Sequence, residues 1–243
     1  MIITLVFSCL LLGCGKNESE NESESKPENN SEIPNYRVDD VLYPKDAKLK
    51  HVYHQGRFYA EYKYDNLNRI SRIDYGADIY AYEIYQYNTK GELEKTSLYN
   101  LENQHVLRHT VFYSYDAKGN KVKEQREFTD ERQTVYDLYQ YNNEQLVKQE
   151  HFEGNKQTFY RIYEYKGDKL AKVKFYVPGE KDFVTTEYFY EEGLLVYTYA
   201  GYQDEKNYYD RNDNLIRTVA NQPWLSSTLG ATEFYVTWEY EYE

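Results

Sequence analysis

The chain has 243 residues, a mean hydropathy of −0.93 and a formal net charge of −12, with 31 Tyr and 10 Phe. That acidity argues against a nucleic-acid binder and against electrostatic docking on anionic lipid. Apolar surface carried on rings with a polar tip suits the half-buried face of a sheet better than a thick aliphatic core.

In chain order, Ile2 to Leu12 form an apolar stretch, as long as a signal-peptide h-region and short of the roughly 20 residues that span a bilayer. It ends in Leu11-Leu12-Gly13-Cys14, which resembles the lipobox of bacterial lipoproteins. The resemblance implies a signal peptide over 1–13, cleavage before Cys14, and lipidation of that cysteine. The other cysteine, Cys9, falls inside the signal peptide, so the rest of the chain has no disulfide, thiol nucleophile or cysteine metal site.

Residues 14–34 read as a disordered acidic tether, since a Glu/Asn/Ser run buries too little surface to offset its ordering entropy. Lys16 followed by Glu18 and Glu20 resembles the export signal of Bacteroidetes lipoproteins. It implies an outer-membrane lipoprotein exposed at the cell surface. A plain spacer on a periplasm-facing lipoprotein is the alternative.

Residues 35–243 carry a repeat. Six Tyr-x-Tyr pairs recur at nearly even spacing, Tyr62/Tyr64, Tyr85/Tyr87, Tyr113/Tyr115, Tyr139/Tyr141, Tyr163/Tyr165 and Tyr188/Tyr190. Their second tyrosines are 23, 28, 26, 24 and 25 residues apart, a period that means one supersecondary unit copied and stacked. In the first unit Phe58, Ala60, Tyr62 and Tyr64 alternate as a strand with one buried face. Asp65 opens a turn, and Ile70 starts a second strand. Asp or Asn begins these turns because its side chain bonds the backbone ahead, and Gly or Asn four residues past the tyrosine takes positive φ.

The turn after Tyr141 and the one after Tyr165 are a residue shorter, which predicts another turn type or a bulge. A seventh unit, Asn207-Tyr208-Tyr209-Asp210, lacks the first tyrosine of the pair. Ile84, Phe112, Leu138 and Ile162 make the opposite face apolar too.

The expected fold is all-β, an antiparallel β-hairpin repeat meander forming one open sheet. Exposed edges of such a sheet need covering. Residues 35–53 are expected to cap the first edge and residues 220–243 the last. Tyr-x-Tyr-Asp-x-x-Gly-x-Leu, closest at Tyr113-Ser114-Tyr115-Asp116-Ala117-Lys118-Gly119, resembles the YD repeats of RHS proteins over about residues 50–219. That resemblance implies antiparallel hairpin sheets. With about seven copies and no self-cleaving core segment, it does not imply an encapsulated toxin.

Trp224 and Trp238 are candidate stacking residues for a sugar or peptide, set against hydrophobic capping of the sheet end. His105 and His109, read as strand residues four apart, would lie about 13 Å apart on one side, too far to share a metal. His51 and His54 would face opposite sides. No catalytic residue, metal ligand set or cofactor is expected, since no carboxylate pair is singled out and no phosphate loop or nucleophile elbow occurs. The expected function is a non-enzymatic outer-membrane or surface lipoprotein acting as an interaction or structural scaffold. Its expected partners are the membrane, through the lipid at Cys14, and a protein or polysaccharide, not nucleic acid. The alternatives are a glycan-binding module and an RHS-type toxin accessory or immunity protein.

Overall fold

The computed structural model describes residues 36–38, 42–76, 79–101, 105–130, 133–201, 203–221 and 235–243. The expected signal peptide and tether, with Cys14, lie outside these residues, as does Trp224.

Among the described residues sixteen strands follow one another. The first eight are β1 (Leu49–His54), β2 (Arg57–Tyr64), β3 (Ile70–Tyr75), β4 (Ala81–Tyr87), β5 (Leu93–Asn100), β6 (Val106–Tyr115), β7 (Lys121–Phe128) and β8 (Val135–Asn142). The rest are β9 (Gln145–Glu153), β10 (Lys156–Lys166), β11 (Lys169–Tyr176), β12 (Phe183–Glu191), β13 (Leu194–Tyr199), β14 (Asp204–Tyr209), β15 (Leu215–Asn221) and β16 (Tyr235–Tyr242). Each pairs antiparallel with its chain neighbours, and β1 pairs with β16, so the sheet is a closed barrel.

The open sheet with capped ends is therefore corrected. The segments expected as caps, 35–53 and 220–243, supply β1 and β16, which pair with each other from Leu49↔Tyr242 to His54↔Trp238. Closure removes both edges, where a cap would only have covered them.

The hairpin turns follow the expected chemistry. Asp65 Oδ1 accepts the backbone N–H of Leu67 and Arg69, Asn88 Oδ1 those of Lys90 and Glu92, and Asp116 Oδ1 those of Lys118 and Asn120. Positive φ falls four residues past the tyrosine, at Asn68 (59°), Gly91 (84°) and Gly119 (84°). The shortened turn differs in type as expected, with Asn143 and Glu144 both at positive φ (47° and 68°), the pattern of a two-residue type I′ hairpin. In every hairpin the pairing shifts register at the second tyrosine, as between Lys63 and Tyr64 or Ser114 and Tyr115. A bulge there turns the strand and adds twist.

Register assigns the two faces. Tyr62 pairs Ile73, which pairs Glu83; Tyr85 pairs Thr96, which pairs Val111. Partners across a ladder share a face. The face that carries the tyrosine pairs holds every buried apolar side chain of the strands except Tyr82, from Val52 and Ala60 to Val173, Ala220 and Val236. Phe58, Phe112, Phe183, Phe189 and Tyr199 lie exposed on the other. The tyrosine pairs thus point inward.

The densest apolar packing, Val52, Ala60, Tyr62 and Ile73 with Trp238 and Tyr240 against them, sits on the inner wall where β16, β1, β2 and β3 meet. On the outer wall, rings stack in parallel across neighbouring strands: Tyr82 on Tyr99 (5.0 Å), Tyr136 on Phe152 (4.8 Å) and Tyr160 on Tyr176 (4.8 Å).

Candidate functional site in the barrel lumen

Two tiers of tyrosine line the inner wall. The second tyrosine of every unit except Tyr190, nearer the turns, reaches the backbone of the preceding strand. The hydroxyl of Tyr64 donates to Leu49 O (2.6 Å), that of Tyr87 to Ile70 O (2.8 Å), that of Tyr115 to Leu93 O (2.9 Å) and that of Tyr141 to Lys121 O (3.0 Å). Tyr165 meets the Leu146 backbone at the equivalent place. Tyr209 donates to Leu195 O (2.8 Å) and Tyr242 to Leu215 O (2.6 Å).

Each accepting residue is also the bulge partner of the previous second tyrosine: Ile70 of Tyr64, Leu93 of Tyr87, Lys121 of Tyr115. Tyr242 in turn pairs Leu49, whose carbonyl takes Tyr64. The links therefore run around the barrel and cross the β16–β1 seam, with a gap at Tyr190. Tyr240-Glu241-Tyr242 belongs to an eighth unit, in a hairpin shared between the two ends of the described barrel.

The first members, Tyr62, Tyr85, Tyr113, Tyr139, Tyr163, Tyr188 and Tyr240, form the deeper tier. Asn207 takes the seventh place, donating to Leu195 O (3.0 Å) and accepting Thr218 Oγ1 (2.8 Å). Burial pushes these phenols up, Tyr163 to about 12; burial does the same for Tyr64 and Tyr209 in the outer tier, each to about 12. In Tyr85 and Tyr139 the charge of a nearby carboxylate, Glu83 or Glu124, adds to burial.

Beside this tier lies a belt of polar side chains. Glu83 Oε2 accepts the hydroxyls of Tyr75 (3.2 Å) and Tyr85 (3.0 Å). Glu124 Oε2 accepts Tyr139 (3.2 Å) and Lys121 Nζ (2.9 Å). Asp137 Oδ1 accepts Gln149 Nε2 (2.8 Å) and lies 3.1 Å from His151 Nδ1, while Gln149 Oε1 accepts Tyr163 (2.8 Å) and Arg161 Nη1 (3.0 Å). Burial pushes the Glu205 carboxyl up, against a hydrogen bond from Thr198. Hydroxyls, amides or cations already engage Glu83, Glu124 and Asp137, an arrangement suited to holding a polar ligand. Among the described residues no group of three His, Cys, Asp or Glu is placed to bind a metal.

At the turn end, the segment before β1 docks on the seventh hairpin. Tyr36 O accepts Tyr209 N (2.8 Å), Arg37 pairs Asp213 (2.8 Å), and Tyr43 N donates to Asp210 Oδ2 (2.9 Å). Burial pushes the Asp210 carboxyl up, but donors from Asn214, Tyr43 and Asn212 outweigh it and hold it below the usual range. This docking fills the place where the shared eighth hairpin has no turn of its own.

Of the residues singled out from sequence, Trp238 lies on the inner wall. One face of its ring stacks on His54 (4.1 Å), and Tyr59 meets it edge-on (5.0 Å). Burial lowers the His54 imidazole from its ordinary value. His51, on the outer wall, meets Glu241 (2.9 Å), so the two histidines face opposite sides as expected. His105 and His109 do not share a face. His105 (φ 62°) precedes β6 and packs on the outer-wall ring of Tyr82 (5.5 Å), whereas His109 packs on Phe128 inside (5.7 Å). The extended geometry assumed for both breaks at His105.

Asp137, Gln149, His151 and Arg161 were not singled out from sequence. For Asp137 and Arg161, as for Glu83, the legible signal is parity: each stands two residues before a first tyrosine and so shares its face.

No family model matches the chain, and no curated protein matches it. Among solved structures it is similar to the toxin complex component TcdB2-TccC3, at 12% identity and a TM-score of 0.38, over 69% of this chain and 12% of that one. It is also similar to a porin-like protein from Bacteroides uniformis, at 11% identity and a TM-score of 0.44, over 83% of this chain and all of that one. The chain thus spans about an eighth of the length of the toxin component.

Proposed function

We propose that the chain is a non-enzymatic outer-membrane lipoprotein whose barrel stands outside the bilayer as an interaction scaffold. One observation carries the reading: the outer wall is laced with ion pairs. Lys63 pairs Asp74 (2.7 Å), Lys148 pairs Glu150 (2.9 Å), Lys172 pairs Glu187 (2.8 Å) and Lys174 pairs Glu164 (2.7 Å). A lipid-facing wall needs a continuous apolar band, and one Lys or Arg at its midplane costs roughly 2–4 kcal/mol. A barrel with this wall is held at a membrane by an anchor, and the lipobox-like Leu11-Leu12-Gly13-Cys14 supplies one. The leaflet to which it is exposed follows from the Lys16-to-Glu20 resemblance, which favours the cell surface.

Membrane fractionation of Cys14→Ser tests the reading. The variant should leave the membrane pellet on a salt wash, while the parent chain stays until detergent is added. Retention of Cys14→Ser as a detergent-requiring barrel would overturn it.

A further inference from the structure

One stretch of the inner wall is built unlike the rest. Asp137 on β8 pairs His151 on β9, which pairs Phe159 on β10; Gln149 on β9 pairs Arg161 on β10, which pairs Phe175 on β11. The Arg161 guanidinium lies 4.8 Å from the Phe159 centroid and 5.6 Å from that of Phe175. His151 stacks on Phe159 at 4.3 Å.

Among the described residues Arg161 makes one hydrogen bond, to Gln149 Oε1, and no carboxylate lies within ion-pairing distance of it. Most of its planar fork of N–H donors is therefore unspent. Asp137 uses Oδ1 for both of its partners and keeps Oδ2 free among the described residues. The outer-wall lysines at 63, 148, 172 and 174, by contrast, each have a carboxylate partner. A half-buried guanidinium laid on aromatic rings, with its fork open, is arranged to take a carboxylate in two parallel hydrogen bonds. A closed 16-stranded wall encloses a lumen wide enough to admit such a ligand.

We propose that Asp137, His151, Phe159, Arg161 and Phe175 form a lumenal subsite for a carboxylated saccharide, a uronic acid unit. Arg161 takes the carboxylate. The ring of Phe175 takes the C–H face of the sugar, and Asp137 Oδ2 and His151 Nε2 take its hydroxyls, while Phe159 backs Arg161 and His151. The assignment goes beyond the scaffold reading and holds in whichever leaflet the barrel is displayed.

Calorimetric titration of the detergent-solubilised full chain tests it, with trigalacturonic acid and its methyl ester as probes. The acid should bind at least tenfold more tightly than the ester, with an advantage that shrinks as salt is raised. Arg161→Gln should weaken the acid at least tenfold and bring it close to the ester, with Arg161→Lys recovering only part of the loss. The acid–ester comparison on the parent chain stands even if neither variant folds. Equal binding of acid and ester, no binding of the acid at millimolar concentration, or equally tight binding of inorganic phosphate would each overturn the assignment.

Discussion

A tyrosine is unusual packing material because it carries a hydroxyl that must be satisfied when buried. Here that need is what joins the hairpins. Tyr87 illustrates the device: its ring covers the inner wall and its hydroxyl ends on Ile70 O at 2.8 Å. Burial raises these phenols above the ordinary value of 10.0, Tyr64, Tyr163 and Tyr209 each to about 12. A raised folded-state value means that the native barrel holds its protons longer than the unfolded chain. The stabilisation is complete below about pH 10 and is lost as pH rises through 12, where the buried phenols must ionise. Phenolate absorbance of the native protein should lag that of the chain in denaturant and finish in one step with the loss of β-sheet circular dichroism. A native titration that superimposes on the denatured one would contradict this account of the lining.

At the scale of the hairpin, much was legible from the residues. That Asp or Asn opens the turns is legible from side-chain chemistry alone, and the oxygens of Asp65, Asn88 and Asp116 each hold the two N–H groups that such a turn requires. The shortened turn at Asn143-Glu144 was legible as different because a one-residue change cannot keep the same faces inward. The bulge at every second tyrosine was not, since a bulge leaves no mark on a pattern that counts alternation.

Glycines separate two kinds of constraint. Gly167 (φ 67°) has open space where a Cβ would go, whereas a Cβ on Gly76 would collide with the Phe58 carbonyl oxygen. Gly167→Ala should cost roughly 1 kcal/mol, the backbone penalty of the left-handed region. Gly76→Ala should cost at least twice that, because the β2 and β3 backbones must part. Chemical denaturation of the two variants measures the difference, and equal costs would mean that β2 and β3 do not approach as described.

For the whole molecule, the residue pattern pointed to an open sheet and the chain forms a ring. The reason is specific. The pair of the eighth unit is Tyr240/Tyr242; Tyr242 stands 33 residues past Tyr209, beyond a segment unlike the repeats, and its partner Leu49 lies at the other end of the domain. A period read along the chain does not register a unit whose halves lie nearly 200 residues apart. The alternation Val236, Trp238, Tyr240 and Tyr242 was visible as a strand, but its neighbour was not. The lumenal stretch around Arg161 was hidden for the same reason, because it exists only once β8 to β11 are set side by side. What each wall exposes follows from closure as well: the lysine–carboxylate pairs of β2, β3 and β9 to β12 turn outward, and tyrosines with a belt of polar side chains turn inward.

The closure itself is open to direct test. His51 and Glu241 face each other across β1 and β16 on the outer wall, and residues 35–243 contain no native cysteine. With His51→Cys and Glu241→Cys combined, mild oxidation of dilute protein should give a monomer that carries an intrachain disulfide and migrates faster on a non-reducing gel. Free thiols that persist in the folded monomer, or cross-linking only between molecules, would contradict a closed barrel and return the chain to an open sheet.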